Sequence, residues 1–548
     1  MKKMVSLLLV LVMAFTIVMP AAAIDLRQDG STIPVITIYG DGEPLYDTEG
    51  NKIFHFRELV NQLMSSAKDS LGESLVNMLK PFFVDGIVND EWDSFYAVLE
   101  QEMSRIFAKS RYSKDGENIN GSDVHPDRRQ TMADFASRDT EKLNGSYHAR
   151  DYQFWYDWRQ DPYKTADEFH AYIEAIKETT GKDKVSVLAR CLGTSVLMAY
   201  IEKYGTDSLH GIAFNGSIAA GAEIVSEMIS GKSDIDLTAL SRMLADLSND
   251  GTLGLDGFIL ATIDLLATAV AALGFDIEET AIHEKLAPGV FAAGTRATFF
   301  TWPGYWALVT PEDYEDALTG VFGPEGSKER QEYAKLIEKV EYYQMNVTRK
   351  IPELLKDAEK NGVKVGVIAK YGYQLAPVVE SKDMVADQYV TVEKASFGAT
   401  TTTIYDTFSD EYIAEKAKTG ADKYISPDKH IDASTCLFPD STWFTKGISH
   451  STWTDLETAL LFQVITADKQ LTIDDFDCSQ YIMYDKETGN GYAMTAENCN
   501  IEPWNTDKAS SRPETIVEKF TAIAKALVNW LKEFLRFAGE KLGDAASK

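Results

Sequence analysis

The stretch 184–200, KVSVLARCLGTSVLMAY, constrains this chain most. Val185, Val187 and Leu188 form a short apolar run, and the helix-like stretch from Val196 to Ile201 lies only a few residues on. Between them Arg190-Cys191-Leu192-Gly193 leaves room for a tight turn and nothing more. Strand, sharp turn and helix, with one nucleophilic side chain at the turn, is the layout of a nucleophile elbow, where G-x-S-x-G exposes a serine at a helix N-terminus. Here Ala189 stands for the first glycine and Cys191 for the serine. Both Ala and Gly are small enough for strand and helix to approach closely. A free cysteine is also a common buried hydrophobe, so nucleophile and core residue are both readings of Cys191 at this point.

The chain has 548 residues and is 45% hydrophobic, enough for one large α/β domain with insertions. A basic pair (Lys2, Lys3), an apolar run over 5–18 and Ala21-Ala22-Ala23 read as a secretory signal over 1–23, so the expectation is an exported protein. The most apolar later stretch, 258–273, is short for a membrane span and contains Asp264. A net charge of −30 argues against nucleic acid as a partner, because phosphate binding needs clustered Lys and Arg. Four cysteines are too few for a disulfide scaffold; Cys478 and Cys499 bracket a hairpin-like segment and are read either as a pair or as two thiols. Metal-ligand spacings and phosphate loops are absent from the sequence, so no cofactor is expected.

Upstream, the β-rich run 33–39 ends in Gly40-Asp41-Gly42. A loop after an early strand supplies one oxyanion-hole amide in elbow enzymes, and glycines admit a close backbone approach. Gly40, Asp41 and Gly42, with the amide of Leu192, are therefore the candidate oxyanion hole. Next come Tyr156-Asp157-Trp158-Arg159, a helical pattern over 165–180, and the elbow strand. This is a βαβ unit, which implies parallel strands. Asp157 and Arg159 read as a structural ion pair at a strand end.

The YDWR segment, helix and elbow together resemble the lecithin:cholesterol and phospholipid:diacylglycerol acyltransferase family, in which YDWR precedes an elbow of H-S-x-G type. The close resemblance covers 152–205, with looser echoes at 33–42 and 428–450. It implies an α/β-hydrolase fold: a mostly parallel central sheet over 24–510 with a helical lid or cap inserted at about 218–343. Within that insertion, 258–273 and the aromatic run 299–308 read either as buried core or as walls of an acyl-chain pocket. Related lipases carry their triad acid in a D-G-x-V segment. Asp428 occupies that slot, with Lys429 in the glycine position, and Asp432 is the alternative acid. His450 follows a Gly-containing turn similar to the family's G-x-x-H segment. Nucleophile, acid, histidine is also the chain order of this fold class.

The implied function is a secreted acyl hydrolase or acyltransferase, acting on an acyl ester, thioester or lipid through a Cys191–His450–Asp428 triad. The alternative is a catalytically inactive relative that binds lipid or a protein partner. Finally, 511–548 reads as an amphipathic helix, with Ile516, Phe520, Ile523, Leu527, Trp530 and Phe534 on one face. Such a face either docks on the domain or rests on a membrane surface.

Overall fold

The computed structural model describes residues 33–40, 42–55, 91–124, 152–232, 298–485 and 488–499, with isolated residues 81, 85, 89, 234 and 296. The expected signal segment 1–23, the apolar stretch 258–273, Asp41 and the terminal helix 511–548 lie outside them.

Eight strands form one sheet: β1 (Val35–Ile38), β2 (Tyr152–Phe154), β3 (Val185–Cys191), β4 (Leu209–Ser217), β5 (Lys364–Tyr371), β6 (Thr442–Lys446), β7 (Tyr481–Asp485) and β8 (Asn490–Ala493). Their spatial order is β8-β7-β6-β5-β4-β3-β1-β2. Every neighbouring pair is parallel except the terminal β7–β8 hairpin. The chain is thus a mixed α/β fold around a mostly parallel sheet.

Parallel strands need covering on both faces, which is why β3 to β5 read as apolar runs rather than alternations. Side chains nevertheless alternate between faces. Val187, Ala189, Ile212, Phe214, Val367 and Ala369 join the core on one side, with Phe169, Ile173, Leu197 and Tyr200 from α1 (Pro162–Thr180) and α2 (Gly193–Tyr204). Leu188, Ala213 and Ile368 face the other side, where a late helix, Asp455–Thr466, contributes Leu460, Leu461, Val464 and Ile465. Gly211 makes that second layer close: a Cβ there would stand 2.4 Å from the Ile465 carbonyl oxygen.

Local signals set the helix ends. Asp161 caps α1 by accepting from the Tyr163 amide, Pro162 opens the helix and left-handed Gly181 closes it. The late helix begins with a capping box, Thr454 and Glu457 each satisfying the other's amide.

The described part of the insertion includes α3 (Glu223–Ser230), α4 (Tyr314–Phe322) and α5 (Ala334–Asn346). These build a second, small core from Ile229, Trp306, Leu318, Phe322 and Leu336. The late helix Asp455–Thr466 follows these in the chain and is α6 below. The aromatic run 299–308 forms two short 3-10 turns and is largely buried. Trp302 meets Trp158 edge-on at 5.3 Å and Phe54 at 5.6 Å, and its indole donates to the Ser110 carbonyl at 2.9 Å. Of the two readings of this run, the structure shows buried core.

Candidate active site

Cys191 ends β3 with φ +48°, a left-handed conformation for a residue with a Cβ. Such strain costs about 1–3 kcal/mol and persists only where neighbours enforce it. The enforcement here is local: Thr194 Oγ1 donates to the Cys191 carbonyl at 2.6 Å and accepts from the Ile218 amide at 3.2 Å. The β3–β4 register also shifts between Arg190 and Cys191. At Gly193 a Cβ would lie 2.8 Å from the Ile38 carbonyl oxygen, so only glycine lets α2 start this close to β1.

Of the candidate oxyanion residues, Gly40 packs directly on the turn. A Cβ there would lie 2.8 Å from the Cys191 Cβ, 3.1 Å from its sulfur and 3.1 Å from the Leu192 nitrogen. Gly40 and the Leu192 amide therefore meet at the thiol. Gly42 stands in open space, with nothing within 4 Å of a built Cβ.

His450 lies on the loop after β6, beyond Gly447 at φ +90°. It is buried. Its Nδ1 is 2.8 Å from Asp387 Oδ2, and its amide donates to the Asp387 carbonyl at 2.9 Å. An ionised carboxylate only accepts, so Nδ1 carries the proton. Tyr389 stacks on the ring at 4.9 Å, and Gly216, at φ +58°, lies beside its Cε1. With Nδ1 taken by Asp387, Nε2 is the other ring nitrogen, buried and without a hydrogen-bond partner among the described residues. Burial alone would push the imidazole pKa down; Asp387, by charge and by its hydrogen bond, and the charge of Cys191 outweigh it and raise it to about 10.

Asp387 is wholly buried and fixed by its own turn, its Oδ1 accepting from the amides of Tyr389 at 3.1 Å and Val390 at 3.0 Å. Gln388 adopts φ +86°. Sequence reasoning missed this residue. The signal was present: Asp387-Gln388-Tyr389-Val390 matches D-G-x-V at both ends, with Gln388 in the glycine's left-handed conformation.

The two expected acids are placed elsewhere. Asp428 is ion-paired with Lys446 at 2.9 Å and accepts from the Tyr371 hydroxyl at 3.1 Å. Burial would raise its pKa, but Lys446 and the hydrogen bonds hold it below the usual carboxylate value. Asp432 pairs with Lys416 at 2.6 Å and the Tyr412 hydroxyl at 2.7 Å, and caps the turn at Ser434. Each carboxylate is engaged by a lysine of its own neighbourhood, so the Asp428 and Asp432 expectations are corrected in favour of Asp387 as the partner of His450.

Asp157 and Arg159 form a buried bidentate pair at 2.8 and 2.7 Å. Arg159 also donates to the carbonyls of Ser110 and Ser122, at 2.7 and 2.6 Å. The YDWR segment is thus a structural tie, as expected. None of the four cysteines is in a disulfide, Cys478 and Cys499 included. Among the described residues no cluster of His, Cys, Asp and Glu is arranged to hold a metal ion, and no helix is long and apolar enough to cross a membrane.

No family model matches the chain, and no curated protein matches it. Among solved structures, a chain from the crystal structure of the Tle4–Tli4 complex is similar, with 13% identity over 62% of this chain and 75% of that chain and a TM-score of 0.22. Function is therefore inferred from this chain's own residues.

Proposed function

We propose that the chain is an acyl hydrolase or acyltransferase of the α/β-hydrolase fold, with Cys191 as nucleophile, His450 as base and Asp387 as the acid that orients it. One observation carries the reading: a buried histidine, clamped by a buried aspartate, is near enough to feel the charge of a cysteine held in left-handed conformation where a central parallel strand enters a helix. This is the structural context that a nucleophile elbow requires. The sheet order and the chain order Cys191, Asp387, His450 support it.

His450 takes the thiol proton on Nε2, and Asp387 steadies the resulting imidazolium. A helix N-terminus and an imidazolium both favour the thiolate, which is the reactive form. The thiolate sulfur bonds to the substrate carbonyl carbon, and the carbonyl electron pair moves onto oxygen. The Leu192 amide and the backbone at Gly40 hold that oxyanion. Collapse expels the leaving group, which takes the proton from Nε2, and leaves a thioester on Cys191. Water or an alcohol then attacks the thioester, gives its proton to Nε2, and the thiolate departs.

The leader read at 1–23 suits acyl substrates met after export, and the amphipathic stretch 511–548 suits a lipid surface. The competing reading, a non-catalytic binding relative, draws on the burial of Cys191 and His450, 7% and 6% exposed. The deciding experiment incubates the full chain with activated oxygen esters, acyl thioesters and a thiol-directed acyl probe, then maps the label. Acylation at Cys191, lost in Cys191→Ala, is expected. Full turnover by Cys191→Ala, or no acylation of Cys191 by any probe, would overturn the assignment.

A further inference from the structure

One buried cation behind the site is used by none of these steps. Lys370, near the end of β5, has no exposed side-chain surface. Its ammonium donates to the carbonyl of His450 at 3.3 Å and to that of Thr452, and lies 3.9 Å from Glu457 Oε2. It also sits 3.7 Å from the ring centre of Trp453. The two carbonyls belong to the second and last residues of a turn closed by the Thr452 amide on the Ser449 carbonyl at 3.1 Å and by the Ser449 and Thr452 hydroxyls at 3.0 Å. His450 is the second residue of that turn. Glu457 in turn belongs to the capping box of α6, accepting from the Thr454 amide at 3.4 Å.

An ammonium taken wholly out of water is costly unless acceptors surround it. Lys370 meets that requirement with the carbonyls of the histidine turn itself, the Glu457 carboxylate of α6 and an aromatic face. Burial is the largest influence and leaves its pKa below the ordinary lysine value; the charges of Glu457, Asp387 and Cys191 work against it in favour of the ammonium, and Arg190 works with it. Arg190 is tied separately, to Thr458 at 2.7 Å and across the Trp453 ring at 5.1 Å.

We propose that Lys370 is a positioning residue: it fastens the 449–453 turn to the sheet, so that the His450 imidazole stands between Asp387 and Cys191. The role rests on the catalytic reading of that site. Asp387 holds the ring from one side, and Lys370 holds the backbone that carries it. The ammonium supplies three donors in different directions, which one neutral side chain of similar length cannot do.

The test uses the full chain, wild type against Lys370→Met. Three quantities are read: hydrogen exchange of peptides covering 449–453, the pH profile of Cys191 alkylation by iodoacetamide, and turnover of an activated ester. Exchange over 449–453 should accelerate about tenfold, the scale of a lost charged hydrogen bond, while β3 and α6 stay protected. Turnover should fall roughly 10²-fold in kcat with KM little changed, as expected of a base displaced by about an ångström. The alkylation profile should move up towards that of an ordinary thiol. Should Lys370→Met not fold, Lys370→Arg carries the same readouts, since it keeps the charge but moves the donors. An unaltered 449–453 segment and an unaltered profile, beside a reactive wild type, would overturn the role of Lys370 alone. A wild-type Cys191 that alkylates as an ordinary thiol and turns over no ester would overturn the catalytic reading, and the positioning role with it.

Discussion

Asp387 grips His450 twice: its carboxylate takes the ring nitrogen at 2.8 Å and its main-chain carbonyl takes the amide at 2.9 Å. A single side-chain contact would leave the ring free to swing about the carboxylate. The second bond fixes the histidine's backbone to the same residue, so ring and loop are set together. In the proposed chemistry this clamp determines both tautomer and direction.

The first prediction separates the aspartates. Asp387→Asn should fold and lose about 10⁴-fold in kcat, because an amide at this position favours the wrong imidazole tautomer. Asp428→Asn should keep its turnover and instead lose roughly 3–5 kcal/mol of stability, the cost of leaving a buried lysine, Lys446, without its charge partner. Parallel ester assays and urea unfolding read both. The reverse pattern would return the acid to Asp428.

A second prediction concerns pH. The His450 pKa is raised from 6.5 to about 10, so the folded state binds the proton more tightly than the unfolded chain. The stability this supplies is fully present below about 6.5 and is lost as pH rises through about 10. Cys191→Ser removes the titrating thiol together with its share of the shift, so in that variant the upper end of the window should move down while Asp387 still holds it above the ordinary imidazole value. Thermal unfolding of that variant should show stability declining across this window, and a further His450→Gln change should flatten the slope. A slope that His450→Gln leaves untouched would mean that the imidazole is not charged in the fold.

Gly40→Ala tests the oxyanion side. The new methyl would arrive 2.8 Å from the Cys191 Cβ and 3.1 Å from its sulfur. Something at the turn must move, and the Leu192 amide moves with it. Turnover should fall by about 10²-fold or more, the scale of a lost oxyanion donor. Gly42→Ala, in open space, is the control and should leave turnover within about twofold.

Arg159→Lys addresses the YDWR tie. Lysine keeps the charge but cannot reproduce the fork that holds Asp157, Ser110 and Ser122 together. The expected loss is roughly 3–5 kcal/mol in equilibrium unfolding, with unchanged reactivity of Cys191 in whatever fraction stays folded. Selective loss of acyl transfer without loss of stability would assign the segment to substrate instead.

Much of the site was legible in the chain itself. The apolar run of Val185, Val187 and Leu188, the turn and the helix Gly193–Tyr204 are local features, set by side-chain branching, apolar spacing and the glycine at Gly193. His450 was singled out by the resemblance of its Gly-containing turn to a G-x-x-H segment and by its place in the chain, and the structure sets it beside an aspartate. The acid did not, and the reason is physical. Asp387 and Asp428 stand in nearly the same local setting, each followed by a residue forced to positive φ, Gln388 at +86° and Lys429 at +60°. Local sequence reports what the backbone can adopt; it does not report which distant charge will be brought alongside. Asp387 reaches His450 across 63 residues, whereas Lys446, on the strand that leads to His450, captures Asp428 across 18. The aromatic run 299–308 has the same lesson: composition showed that it must meet something apolar, and only the packing of Trp302 on Trp158 and Phe54 made that partner the protein's own core.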